Sequence, residues 1–525
     1  MSLAVAVTLV VLLSFTAGGA ASGGVSALLA FRHALTVPPE AAGFFATWDA
    51  AAAAATPCNF TGVTCDPAGR VTALAVRRQG VAAASVPFSD ICGALPRLAT
   101  LSLPGNMLAG GIAGVRACAA LRHLTLAFNS FSGSLPDLSP LTELRSLDLR
   151  RLDIRTNSFS GAMPYLSTLV KLRWLTIYDN CFSGAFPWAA LLAMPDLQVL
   201  ELGDNPFERT ATFPNEVTEL TNLTILYLSN ASIGGVIPPE IGNLVNLVDL
   251  EIADSYLTGE IPPEITKLTK LRMLMLYNNS LHGELPAGFG WLTKLQFFDA
   301  SMNNLTGSLS ELRSLKELVC LQLFMNFFSG EVPPEFGEFK MLVNISLYNN
   351  NLTGELPRSL GSWAQFIFID VSTNSLSGPI PPDMCKQGTM LWLYMLDNKF
   401  SGEIPATYAQ CKSLLEFRVS NNALSGTVPE GLWALPKTTK IDLVGNQFTG
   451  AIGDSIGNAM SLTHLLLGQN QFSGAIPSSI GNVTNLRIID VSSNEISGLI
   501  PESIGSLIYL EKIYLRGNKI IGALP

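Results

Sequence analysis

The sequence predicts a β-dominated α/β repeat solenoid: a right-handed superhelix of about 19 units, each ~24 residues long, with a parallel β-sheet on the concave face. Three observations predict it. An asparagine recurs every 24 residues from Asn326 through Asn350, Asn374, Asn398, Asn422, Asn446, Asn470 and Asn494 to Asn518. Apolar residues precede each asparagine at fixed spacing, as Leu414, Phe417 and Val419 precede Asn422. Glycine and proline follow it, as Gly426 and Pro429 do in "LLEFRVSNNALSGTVP". A length of 525 residues would otherwise suggest about three domains, and a repeat array overrides that prior.

Each unit fits the pattern LxxLxLxxN, the signature of a leucine-rich repeat. The LxL segment predicts a short strand whose leucines face the core while the x residues face outward. One unit cannot bury its apolar side alone, so stacked units share a continuous core. The asparagine amide both donates and accepts, which suits it to tie the turning backbone to its neighbours. Glycine supplies unusual turn angles, and proline suits an extended segment with no amide to spare.

The chain divides in order into a signal peptide at 1–22, an N-terminal cap at 23–70 and the solenoid at 71–525. Residues 3–15, "LAVAVTLVVLLSF", are apolar and precede small residues near Ala20 to Ser22, although no Lys or Arg occurs before Arg32. "SALLAFRHAL" at 26–35 predicts an amphipathic helix capped by Ser26, with Leu28, Phe31 and Leu35 on one face. Upstream of Asn326 the period wavers, through Asn303, Asn279, Ser255, Ala231, Asn205, Asn180, Asn157, Asn129, Asn106 and Gln79. Two stretches break it. In "LRSLDLRRLDIRTNSFSG" two frames compete: Leu144, Leu147 and Leu149, or Leu149, Leu152 and Ile154 leading to Asn157. Five added residues there must bulge or shift the register. In "GDNPFERTATFPNEV" the turn after Asn205 is stretched into a lateral loop. At its other end the chain stops at "LRGNKIIGALP" within a unit, without a polar cap, and is expected to be C-terminally truncated.

Eight cysteines fit an oxidising, extracellular setting. Cys58 and Cys65 sit before the first repeat. Cys92 and Cys118, like Cys385 and Cys411, are spaced to fall on neighbouring turns, close enough for disulfides. Cys181 and Cys320 are left over. Eight glycosylation sequons, at Asn59, Asn222, Asn230, Asn278, Asn304, Asn344, Asn351 and Asn482, agree with secretion. A net charge of −9 without a basic stripe argues against nucleic acid. Four scattered histidines and the lack of a nucleophile or metal constellation argue against an enzyme, and no cofactor or metal is expected.

The x residues of the strands are free of packing duty, so their identities carry information. Trp174, Tyr178, Tyr227, Tyr277, Phe297, Phe324, Tyr348, Phe368, Trp392 and Tyr394 offer rigid apolar contacts with polar handles. Glu201, Asp204, Asp249, Glu251 and Asp254 form an acidic group suited to a ligand carrying Lys or Arg.

"ALLAFRHAL … TPCNFTGVTCD", followed by LxxLxLxxNxLxGxIP units, resembles the ectodomain of plant leucine-rich-repeat receptor-like kinases. "GDNPFERTATFP", "YLSNASIGGVIP", "IPPDMC" and "GLWALP" resemble its HAIKU-type peptide-receptor branch. The resemblance covers essentially the whole chain. It implies a secreted peptide ligand bound along the inner face, a leucine-rich-repeat kinase as co-receptor, and residence on the extracellular side of the plasma membrane or in the apoplast. No apolar run after residues 3–15 reaches 18 residues, and the HRD and DFG motifs of the family's kinase domain do not occur in this sequence. In resembling receptors an Arg-x-Arg pair holds the ligand's C-terminal carboxylate. Here Glu416 replaces the first arginine and Arg418 keeps the second, with Lys440 one strand on. Two readings stand: Arg418 still anchors the carboxylate, or Glu416 and Arg418 neutralise each other. The alternative function is a soluble repeat protein that inhibits a foreign enzyme, like polygalacturonase inhibitors, or a decoy receptor.

Overall fold

The computed structural model describes residues 23–49, 56–150 and 157–523. The expected signal peptide and most of the five-residue insertion lie outside the described residues. The chain forms two compact units, Met1–Leu257 and Thr258–Pro525.

The first unit opens with the cap. Residues 23–33 are helical, so Ser26 lies inside the helix and not at its N-cap. Leu28, Phe31 and Leu35 are buried, although Leu35 falls just beyond the helix. Trp48 stacks on Phe60 at 5.2 Å and lies 6.3 Å from Phe31, and its indole N–H donates to the Thr61 carbonyl at 2.9 Å. Strand Val63–Cys65 pairs antiparallel with Val71–Ala75, the first repeat strand. The cap thus covers the sheet edge that the first repeat would otherwise expose. The Cys58–Cys65 disulfide closes this turn, with Cα atoms 5.6 Å apart.

From Val71–Ala75 the strands run parallel and in register: Thr100–Ser102, His123–Thr125, Ser146–Asp148, Trp174–Thr176, Val199–Glu201, Ile225–Tyr227 and Asp249–Glu251. Each strand buries its central leucine and leaves its flanking residues at the open face, as the alternation requires.

The second unit repeats the plan more regularly. Among its described residues eleven parallel strands run from Met273–Met275 to Lys512–Tyr514, one per turn. The return segments hold short 3-10 helices such as Pro263–Lys267 and Ser478–Asn482, so the helical part of the α/β class is mostly 3-10. Proline opens many of these segments, which run only 5 residues, too few for a stable α-helix.

The asparagine ladder is the main polar device of both units. Asn350 donates to the carbonyls of Leu323, Leu347 and Tyr348 at 3.0, 3.1 and 3.4 Å, and accepts from the Phe328 amide at 3.0 Å. Asn129, Asn303 and Asn470 make the same bonds in their own turns. Among the described residues, the residue before each ladder asparagine adopts the left-handed conformation, at φ 55° for Asn349 and Met325 and 56° for Asn421. That kink aims the next side chain inward. Gly426, at φ 75°, marks the second corner of its turn, a conformation that residues with a side chain rarely adopt.

Both irregularities resolve locally. Strand Ser146–Asp148 pairs with His123–Thr125 and Trp174–Thr176, so Leu144, Leu147 and Leu149 are the core frame. Asn157 nevertheless serves this turn, donating to Leu126 and Leu149 carbonyls. The loop after Asn205 folds against the side of its unit. Phe207 bridges to Gly184, the Gly234 amide donates to Thr210 Oγ1 at 2.8 Å, and the Arg209 guanidinium lies 4.1 Å from the Tyr256 ring centre.

Cys92 bonds to Cys118 in the first unit and Cys385 to Cys411 in the second, with Cα atoms 4.8 and 5.8 Å apart. Each pair joins successive turns. Cys181 is exposed and Cys320 half-buried, both unbridged.

Candidate functional site

The parallel register sorts the outward residues into columns. In the second unit one column runs Phe297, Cys320, Asn344, Phe368, Trp392, Glu416 and Lys440. The next runs Asp299, Gln322, Ser346, Asp370, Tyr394, Arg418 and Asp442. Tyr277, Phe324 and Tyr348 lie two residues further along their turns. All these aromatic rings remain partly exposed, unlike the leucines between them.

Around Arg418 the side chains form one connected group. Phe368 and Tyr394 meet edge to face at 5.9 Å. The Tyr394 hydroxyl donates to Glu416 Oε2 at 3.0 Å, and the Arg418 guanidinium lies over the Tyr394 ring at 5.2 Å. Arg418 Nε stands 3.6 Å from Asp442 Oδ2. Burial pushes the Tyr394 hydroxyl up to about 12, and its bond to Glu416 pushes the same way. Burial also raises the carboxyls of Asp370 and Asp442, with Arg418 pulling each back down.

Glu416 and Arg418 therefore share Tyr394 but form no ion pair with each other; the carboxylate paired with Arg418 is Asp442. Lys440 is in register with Glu416, and Asp442 with Arg418. Sequence reasoning passed over Asp370 and Asp442. Their signal was available, since each sits a multiple of the 24-residue period from Arg418.

In the first unit, Trp174, Tyr178 and Tyr227 reach the open face, with Tyr178 and Tyr227 edge to face at 5.4 Å. The Tyr227 hydroxyl donates to Asp204, which also accepts from Asn230 at 3.2 Å. Asp249 and Glu251 lie two residues apart on the open face of one strand. Burial first, and then Glu201, raise Asp249 to about 6; burial, Asp249, Glu201 and Asp204 raise Glu251 to about 7.

These two carboxyls hold protons more tightly when folded than when unfolded. Their stabilisation is thus full below about pH 4, the unfolded range, and is lost as pH rises through 6 and 7. Changing Asp249→Asn and Glu251→Gln together should flatten the fall in melting temperature between pH 5 and pH 7.5. The part removed should be on the order of 1–2 kcal/mol, after solvent screening of half-exposed groups. Identical slopes for parent and variant would contradict this assignment.

Seven sequon asparagines are exposed, whereas Asn344 stands half-buried on the open sheet face between Cys320 and Phe368. Among the described residues no His, Cys, Asp and Glu grouping could hold a metal ion, and no helix is long and apolar enough to cross a membrane.

A stacked-turn scaffold with an ordered core and a chemically varied open sheet defines a leucine-rich-repeat recognition module. Family models agree: a leucine-rich-repeat N-terminal domain matches residues 24–66, a leucine-rich-repeat region 182–329, and leucine-rich repeats 341–363 and 460–520. The crystal structure of the Arabidopsis receptor kinase HAESA, in complex with the peptide hormone IDA and the co-receptor SERK1, is 35% identical. The match covers 95% of this chain and 82% of that chain, with a TM-score of 0.84. Receptor-like protein kinase 7 of Arabidopsis thaliana is 49% identical over 182 residues, 34% of this chain. Receptor-like protein kinase HAIKU2 of Arabidopsis thaliana is 43% identical over 188 residues, also 34% of this chain. The chain belongs to the leucine-rich-repeat ectodomain family of plant receptor-like kinases. It matches only 16% of the length of either of these two kinases. These relatives favour the receptor reading over a soluble enzyme inhibitor.

Proposed function

We propose that this chain is an extracellular recognition ectodomain that binds a secreted peptide on its open sheet face and works by binding, not catalysis. The observation that carries the reading is the group Phe368, Trp392, Tyr394 and Arg418 on successive strands of the second unit. The rings offer rigid contact area, and Arg418 offers a planar fork matched to a carboxylate. Asp442 and the Tyr394 ring hold that fork in place before any ligand arrives. Preorganisation of this kind lowers the ordering cost of binding. Tyr277, Phe297, Phe324 and Tyr348 extend the contact surface in the same unit, and Trp174, Tyr178 and Tyr227 supply another in the first.

A co-receptor kinase is the natural second partner, as the HAESA complex contains one. Membership of the family supports an extracellular setting, and the disulfides and exposed sequons agree with it.

Calorimetric titration of the secreted, disulfide-intact protein with a panel of secreted plant peptides tests the reading. Each peptide is supplied with a free and with an amidated C-terminus. The free form of a binder should bind more tightly. Equal affinity of both forms would remove the carboxylate anchor, and a panel with no binder would remove peptide recognition itself.

A further inference from the structure

The first strands of the first unit carry a charged cleft that the aromatic and Arg418 groups leave unused. It has a volume of about 490 Å³, and its walls include Arg77, Arg78 and Arg150, with Phe128, Ser102 and Asp148. Strand alternation brings Arg77 and Arg150 there, each two residues past the end of its strand, Val71–Ala75 or Ser146–Asp148. Arg78 follows at the left-handed corner, φ 53°.

Three guanidiniums face little opposing charge inside the cleft. Arg77 Nε donates to Ser102 Oγ at 2.8 Å, which fixes the side chain and leaves its other N–H groups unused. Among the described residues Arg77 and Arg78 have no acidic partner within 4 Å. Arg150 is partly compensated: its Nε lies 3.3 Å from Asp148 Oδ1, and its Nη1 4.0 Å from Glu201 Oε2. It also lies 5.5 Å from the Phe128 ring centre. Among the described residues of the cleft wall Asp148 is the only acid, set against three arginines, so the charge of that wall is net positive. Further along the same sheet the sign reverses, at Glu201, Asp204, Asp249 and Glu251. An anion is therefore repelled from the later strands and drawn to the first ones.

We propose that the Arg77–Arg78–Arg150 cleft binds an oxyanion, namely the side-chain carboxylate of an acidic residue in the peptide ligand. Guanidinium forks pair bidentately with a carboxylate, and the Phe128 ring supplies an apolar wall for the carbon stem. The source of the oxyanion rests on the peptide-binding reading; the chemistry of the cleft rests on these residues alone.

Two arms test it on the intact protein. In the first, phenylglyoxal labels arginines, and mass spectrometry follows each site in sodium sulfate and in sodium chloride at matched ionic strength. Sulfate should slow labelling of Arg77 and Arg78 severalfold and leave the exposed Arg116 unchanged. Equal slowing at all three overturns the cleft as a site. In the second arm a displayed random peptide library is selected on the parent and on an Arg77→Gln, Arg78→Gln variant with an unchanged melting temperature. Peptides retained by the parent should be enriched in Asp and Glu, and the variant should lose that enrichment. Retained peptides without it, or with the same enrichment in both, overturn the peptide carboxylate as occupant. If no peptide is retained, the peptide-binding reading falls instead, and selective sulfate protection then marks a site for a free anion.

Discussion

Asn350→Ala should lower the stability of the second unit by about 3 kcal/mol, whereas Asn351→Ala should change it by less than about 0.5 kcal/mol. The two residues are neighbours in the run Asn349-Asn350-Asn351, so composition and position are nearly constant. Their environments differ. Asn350 is buried and holds three carbonyls and one amide, two of those four groups on the preceding turn. Alanine leaves those groups buried with fewer partners, at about 1–3 kcal/mol for each that water cannot reach. Asn351 is exposed on the lateral ladder, where its backbone does the bonding. Chemical denaturation followed by circular dichroism measures both. Equal losses for the two variants would mean that the ladder is not the polar spine described above.

Arg418→Ala should weaken binding of a peptide with a free C-terminus by about 2 kcal/mol, roughly thirtyfold in Kd. This rests on the carboxylate-anchor reading of Arg418. Because Asp442 is almost fully buried beside it, the same substitution also leaves a carboxylate short of a partner. A second variant separates the two effects. Asp442→Asn removes the competing charge while keeping a similar shape, and should tighten binding of the same peptide. Glu416→Arg should also tighten it, with greater salt sensitivity, at the cost of the Tyr394 hydroxyl bond. Amidating the peptide should erase the differences among the parent, Asp442→Asn and Glu416→Arg. If Asp442→Asn and Arg418→Ala both weaken binding, Arg418 is a structural prop and not the anchor.

Most of the scaffold could be read from spacing because every turn repeats the same solution. Leu414, Phe417 and Asn422 need no distant information to be placed. The open-face residues could be read too, because alternation alone decides which side of a strand Tyr394 or Glu416 occupies. Pairings across strands were harder. Adding one period to 418 gives 442, but spacing alone does not say whether the Arg418 guanidinium turns to Asp442 or to Glu416 on its own strand; the side-chain geometry selects Asp442. The competing frames near Leu149 were undecidable in sequence, since both satisfy the leucine pattern. Only pairing with Trp174–Thr176 selects one. The 3-10 geometry of the return segments was also hidden, because proline followed by a few helix formers begins either helix.

Asn157 shows how such a chain tolerates editing. It closes its turn from eight positions beyond Leu149, where Asn350 needs only three from Leu347. The strands on either side keep their pairing all the same. A length error in a globular core shifts everything downstream of it. Here the error is contained within one turn, because each turn carries its own clasp. Variation in length is therefore cheapest between a strand and its asparagine, next to the open face. New loops can arise beside the ligand surface without any renegotiation of the core, which makes this margin the natural place for related receptors to diverge.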